Sequence, residues 1–265
     1  DTMTGLRELV LAVTKPGDAV VINPPIYPPF RQTVSATGRR TVEVPIAAGR
    51  LDLDALEAAF EREQPAAYLL CSPHNPNGIV HTAEELTRVM EAANRHGVVV
   101  ISDEIHAPIS GSKHTPITEV PGGERALIVT SASKAFNLAA IKAALIVPGV
   151  EATDVVAGLS GYVHESASYF GVAANATALS VGRDWLAQLR VELEEHKKHF
   201  SAELSRHIPQ LVWQPMAGTY LAWLDCSPLG LEHPGRHFHE VGRVRFNFGE
   251  DFAPEASQHV RVNLA

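Results

Sequence analysis

Thr130-Ser131-Ala132-Ser133-Lys134-Ala135-Phe136-Asn137-Leu138 follows directly on the apolar run Ala126-Leu127-Ile128-Val129. The run reads as a buried strand that empties into small hydroxyl residues and a single lysine before the chain turns apolar again. Burial at such a strand end lowers a lysine pKa, and only the free amine attacks a carbonyl carbon. Taken alone, the stretch more often describes an ordinary surface lysine after a strand. Two other segments change that balance.

Tyr68-Leu69-Leu70-Cys71-Ser72-Pro73-His74-Asn75-Pro76-Asn77-Gly78 and Val98-Val99-Val100-Ile101-Ser102-Asp103-Glu104-Ile105-His106 have the same form, a buried-type strand ending in polar residues. In α/β sheets, ligand groups collect at the carboxyl ends of strands. The three strands therefore aim an amide (Asn75), a carboxylate (Asp103) and an amine (Lys134) at one crevice. Between the first two lies Thr82-Ala83-Glu84-Glu85, a capping box. It opens a helix with a buried stripe of Leu86, Val89, Met90 and Ala93 that ends at Gly97. Strand, helix, strand implies a right-handed parallel crossover, hence an α/β fold.

These residues resemble the fold-type I pyridoxal-phosphate enzymes, the aspartate-aminotransferase superfamily. The shared motifs are Asn-Pro-x-Gly at Asn75, the strand-borne Asp103 and Ser-x-Ser-Lys ending at Lys134. His-Asn-Pro-Asn-Gly, Ser-Asp-Glu-Ile-His-Ala and Ser-Lys-Ala-Phe-Asn-Leu further resemble its cystathionine β-lyase, or C–S lyase, branch. So does Gly218-Thr219-Tyr220-Leu221-Ala222-Trp223-Leu224-Asp225. The resemblance runs from about Gly5 to Leu264. It implies a mainly parallel sheet of the seven-stranded type between helices, over residues 1–182, and a smaller C-terminal α/β domain over 183–265. It also implies a homodimer with shared active sites. The first and last residues lack parts that relatives carry, so an incomplete chain is the expectation.

The resemblance also assigns roles. Lys134 carries the cofactor, pyridoxal 5′-phosphate, and acts as base; Asp103 keeps the cofactor ring protonated, and Asn75 fixes its ring oxygen. His106 takes the place of a ring-binding tyrosine, or is an ordinary buried histidine. Glu104 is expected behind the site or on the surface. Tyr27, held between prolines, stacks on the ring or is merely structural. Thr2 and Met3, at a helix start, offer amides to the phosphate, with Ser131 and Lys142 as further phosphate contacts. Lys142 stands where many relatives have an arginine, a point charge in place of a planar fork. Arg261, alternating with apolar neighbours in Val260-Arg261-Val262, would bind the substrate carboxylate bidentately or form a structural ion pair.

Elsewhere the chain looks structural. Leu6, Leu9, Val10 and Val13 describe a helix, Asp52 caps another, and Asp184 to His207 is a long bridging helix. Leu211-Val212-Trp213 reads as a strand. His233, His237 and His239 lack partners at metal-site spacing, so no metal is expected.

The chain has 265 residues, 45% hydrophobic, with a net charge of −8 and no basic cluster. This argues against nucleic-acid or anionic-membrane partners and for a small amino-acid substrate. Two cysteines without framework spacing and no apolar span of membrane length imply a cytoplasmic protein. Two enzyme activities fit: α,β-elimination of a sulfur amino acid, and transamination. A cofactor-sensing regulatory domain would need a basic DNA-binding module, which the sequence does not contain.

Overall fold

The computed structural model describes residues 1–110 and 113–265. Asp1 accepts the Thr4 N–H at 3.0 Å and so caps helix α1 (Thr2–Val13), whose Leu6, Leu9 and Val10 are buried. Strand β1 (Ala19–Ile22) is wholly buried. Helix α2 (Pro29–Ala36) starts on a proline, where no backbone N–H is needed, and leads to β2 (Arg40–Glu43). Asp52 caps α3 (Leu53–Glu63), which is followed by β3 (Ala67–Cys71). Thr82 and Glu85 close both halves of the expected capping box on α4 (Ala83–His96), and Gly97 ends it in the left-handed conformation. Then come β4 (Val99–Asp103), the short α5 (Ala107–Ser110), β5 (Leu127–Thr130) and β6 (Leu145–Pro148).

The six strands lie in the order β2-β1-β3-β4-β5-β6, all parallel except the last pair. The α/β fold stands, with six strands among the described residues where the seven-stranded type was expected. Side chains alternate across each strand, so the sheet has two apolar faces. On one, Val21, Tyr68, Leu70 and Val100 pack with Leu56 and Phe60 of α3 and Leu86, Val89 and Met90 of α4. On the other, Ile22, Leu69, Ile101 and Val129 pack with Leu6 and Leu9 of α1 and Phe30 and Val34 of α2. The chain extends the sheet one way from β1 to β2 and the other way from β3 onward. The carboxyl ends of β1 and β3 therefore flank the opening where α/β proteins bind ligands.

Helices α6 (Thr153–Ala157), α7 (Gly161–Glu165) and α8 (Tyr169–Val181) lead into α9 (Arg183–His207). The 182/183 division falls between α8 and α9. The first half of α9 packs Leu186, Leu189 and Leu193 against Ile109, Ala135 and Phe136, and its second half packs Phe200 and Leu204 on a second core. That core belongs to a three-stranded antiparallel sheet. Its strands are β7 (Leu221–Asp225), β8 (Asn247–Phe248) and β9 (His259–Asn263), in the order β7-β9-β8, with α10 (Pro234–Glu240) alongside.

Leu211–Trp213 is a correction: Leu211 and Trp213 are buried and Val212 exposed, as in a strand, but the segment joins neither sheet. Alternating burial here reflects packing on the small core rather than backbone pairing.

Candidate active site

A cavity of ≈ 370 Å³ opens between the two sheets and is lined by Lys134, Asp103, Asn75, Tyr27, His106 and Arg261. Thr2 and Met3, at the start of α1, line it too. Eight of the ten residues expected at the site thus share one space; Ser131 and Lys142 do not.

Asp103 ends β4 and its side chain points into the cavity, whereas Ser102 and Glu104 point to the opposite face. It is buried and accepts the Ile105 N–H at 3.1 Å. Burial pushes its pKa up to about 7, with the neighbouring Glu104 adding to the rise and the Ile105 bond and Lys134 opposing it. Glu104, expected behind the site or on the surface, is buried. It accepts the Ser102 hydroxyl at 3.1 Å and the Ile117 N–H at 3.0 Å and pairs with His114 Nε2 at 2.8 Å.

Lys134 sits in a tight turn after β5. Burial lowers its pKa, the nearby Arg261 charge lowers it further, and Asp103 pulls the other way. The turn is anchored by Asn175 of α8, a buried residue that sequence patterns do not single out. Its side-chain oxygen accepts the Ala132 N–H at 2.8 Å, and its amide donates to the Gly171 carbonyl at 2.9 Å. Ser131, expected at the phosphate, takes part in this anchor. Its hydroxyl is buried, lies 2.9 Å from the Ala143 carbonyl and 3.1 Å from the Asn175 oxygen, and accepts the Ser133 N–H. Ser133, two residues on, faces the cavity instead. Lys142 has a side chain that is 66% exposed and outside the lining, with its ammonium 3.4 Å from the carboxylate of Asp1, which does line the cavity.

Asn75 lies in a turn where Gly78 adopts φ +71 and donates to the His74 carbonyl at 2.8 Å. A Cβ on Gly78 would come within 2.9 Å of Met216 Cβ, so only glycine fits. Tyr27 donates its N–H to the Asn75 carbonyl at 3.2 Å, fixing one loop to the other. Burial drives the His106 pKa down to about 3, helped by the charges of Lys134 and Arg261, so the ring is neutral. Its Nδ1 is buried without a hydrogen-bond partner, and the ring packs edge-on to Tyr220 at 5.8 Å.

Arg261, on β9, donates to Asn75 Oδ1 at 2.7 Å from Nη1 and to Asn247 Oδ1 at 2.8 Å from Nη2. No carboxylate pairs with it among the described residues. Tyr220, Asn247 and Ser133 also line the cavity. Of these, Tyr220 belongs to the quoted Gly-Thr-Tyr-Leu motif, whose position just before β7 is the signal that could have found it. His233, His237 and His239 are exposed, and no metal-holding group of His, Cys, Asp or Glu occurs among the described residues. No helix there is long and apolar enough to cross a membrane.

The family model described as Aminotransferase class I and II matches residues 3–251. A Mycobacterium tuberculosis protein named "Putative cystathionine beta-lyase" is 41% identical over all of this chain and 72% of its own length. Cystathionine beta-lyase PatB of Bacillus subtilis is 33% identical over 98% of this chain and 70% of its own. Among solved structures, the PLP-bound C-S lyase from Staphylococcus hominis superposes with a TM-score of 0.89 at 28% identity, covering 98% of this chain and 69% of its own.

Proposed function

We infer the reaction from the premise that the chain belongs to the aminotransferase class I and II family: it is a pyridoxal 5′-phosphate enzyme of the cystathionine β-lyase type. It splits the C–S bond of a sulfur amino acid to give a thiol, pyruvate and ammonia. The observation that carries this is the convergence of Lys134, Asp103, Asn75 and Arg261 on one cavity.

The residues present fit the cofactor. Asp103 is a buried carboxylate that pairs with no cation among the described residues, and a protonated ring nitrogen is the partner it lacks. Nδ1 of His106 is a buried polar atom without a partner on the same wall. Asp103 would hold the ring nitrogen, and Asn75 with His106 the ring oxygen. Tyr27 would lie against the ring, and the Thr2 and Met3 amides with the Ser133 hydroxyl would meet the phosphate at the positive end of α1. When bound, the cofactor supplies an aldehyde carbon for amino groups and an electron-poor ring beside the substrate α-carbon.

The chain does the rest. Arg261 binds the substrate carboxylate and so orients the α-carbon. Lys134, whose pKa burial and the Arg261 charge lower, takes the α-proton on Nζ. The C–S bond then breaks with its electron pair leaving on sulfur. A transamination would use the same Lys134, Asp103 and Asn75, and the family's own description favours it as the second activity to test.

We also propose that the chain divides into a cofactor-binding part, 1–182, and a smaller part, 183–265, and acts in the cytoplasm as a homodimer with shared active sites. The free cysteines Cys71 and Cys226 support a reducing setting. Exposed Tyr169, Phe170, Val172, Leu179 and Val181 on α8 support a second copy.

Protein loaded with pyridoxal phosphate and given L-cystathionine tests the activity, with Lys134→Ala as control. Pyruvate and thiol in equal amounts, lost in the control, support elimination. A keto acid that keeps the sulfur establishes transamination instead. Neither product refutes both.

A further inference from the structure

Arg261 is held on three sides. Asn247 Oδ1 accepts from Nε at 3.3 Å and from Nη2 at 2.8 Å, and Asn75 Oδ1 accepts from Nη1 at 2.7 Å. The Phe252 ring lies under the guanidinium, its centroid 4.7 Å from Cζ. A guanidinium has five N–H groups, so with three taken two remain for a further acceptor.

Phe252 is itself fixed. It is 2% exposed, meets Trp223 edge-on at 5.2 Å, and its carbonyl accepts the Ile26 N–H at 3.1 Å, next to Tyr27. Trp223 in turn stacks flat on His259 at 5.0 Å. Gly249 closes the turn between Asn247 and Phe252, where a Cβ would fall 1.9 Å from the Ala256 carbonyl. Asn247 and Phe252 therefore sit on one short segment, both directed at Arg261.

We propose that Asn247 and Phe252 are positioning residues that set the orientation of the Arg261 guanidinium toward the substrate carboxylate. The proposal rests on the assignment of Arg261 as carboxylate binder. An arginine on a flexible stem loses rotamer freedom on forming a two-pronged contact, and a guanidinium already docked on an amide oxygen and a ring face has lost most of it beforehand. Neither residue touches the substrate in this scheme. Their effect appears as carboxylate selectivity.

The test is calorimetry on the loaded enzyme with 3-(methylthio)propanoate, a carboxylate thioether that lacks an amine, and with its neutral amide as comparison. Asn247→Ala, Phe252→Leu, Phe252→Tyr and Arg261→Ala are measured in parallel, together with KM and kcat for L-cystathionine. Asn247 is exposed, so its truncation leaves the core intact. The expected result is carboxylate binding weaker by about tenfold in Asn247→Ala and in Phe252→Leu, the scale of a lost charge-assisted hydrogen bond or cation–π contact. Amide binding stays unchanged, Phe252→Tyr recovers the affinity through its ring face, and KM rises more than kcat falls. Full carboxylate selectivity in Asn247→Ala and Phe252→Leu, while Arg261→Ala loses it, overturns the proposal and leaves Arg261 in place. Selectivity retained in Arg261→Ala overturns the assignment of Arg261 itself.

Discussion

Arg261 Nη1 donates to Asn75 Oδ1 at 2.7 Å, across 186 positions of sequence. One side chain thereby joins the turn after β3 to the middle of β9, and an amide proposed for the cofactor also touches the arginine proposed for the substrate. Asn75→Ala leaves Nη1 without its acceptor and removes a contact to the ring. Steady-state kinetics should show KM for the amino acid raised by roughly tenfold, with weaker cofactor retention on dialysis. An unchanged KM would mean that the contact is idle during turnover.

Asp103 works against the stability of the cofactor-free protein. Its folded pKa of about 7 lies above the ordinary carboxylate value of 3.8. A raised acid contributes stability that is present below pH 3.8 and lost as pH rises through about 7, so above pH 7 the buried charge is a full burden. Asp103→Asn should raise the melting temperature of the cofactor-free protein at pH 8, by on the order of 5 °C, while abolishing activity. Thermal unfolding with and without cofactor measures both effects.

Three buried histidines predict acid lability. Burial lowers His74 to about 4 and His81 and His106 to about 3, against 6.5 when unfolded. Between these values the unfolded chain binds more protons than the folded one. The histidine contribution is therefore complete above pH 6.5 and falls as pH drops from 6.5 toward 3, at up to about 1.4 kcal/mol per pH unit for each histidine, against the opposite and smaller slope of the single Asp103. Urea midpoints from pH 7.5 to pH 4.5 measure the slope, and His81→Asn should flatten it. The substitution removes the contact of His81 Nε2 with the Cys71 carbonyl at 3.2 Å, so the pH slope rather than the absolute midpoint is the readout.

Asn175 anchors the Lys134 turn without lining the cavity. Asn175→Ala leaves the Ala132 N–H without its acceptor, a cost of about 1–3 kcal/mol, while the Ser131 hydroxyl keeps the Ala143 carbonyl. Its activity should fall through kcat, since the base is misplaced, with little change in carboxylate affinity. Pre-steady-state rates of α-proton exchange in deuterated water would register this.

Lys134, Asp103 and Asn75 are legible in the sequence because each follows a short apolar strand, and strand ends in a parallel sheet face one crevice. Capping residues Asp52 and Thr82 are legible for the same local reason. Ser131 and Ser133 are harder: they stand two residues apart in one turn, and only the position of α8 decides which hydroxyl it captures. Asn247, Phe252 and Asn175 carry no local pattern, since their partners lie on other elements. Leu211–Trp213 shows the converse, a strand-like alternation produced by a helix-packed core.

The two sheets divide the labour. Every residue proposed for the cofactor comes from the large sheet and the helices on it, while the arginine for the substrate comes from the small sheet. Gentle denaturation that frays the three-stranded layer first would leave a protein that is still coloured by its cofactor but blind to amino acids. Loss of substrate selectivity would then precede loss of colour along a denaturant series, which makes the two signals a ruler for the order in which the layers come apart.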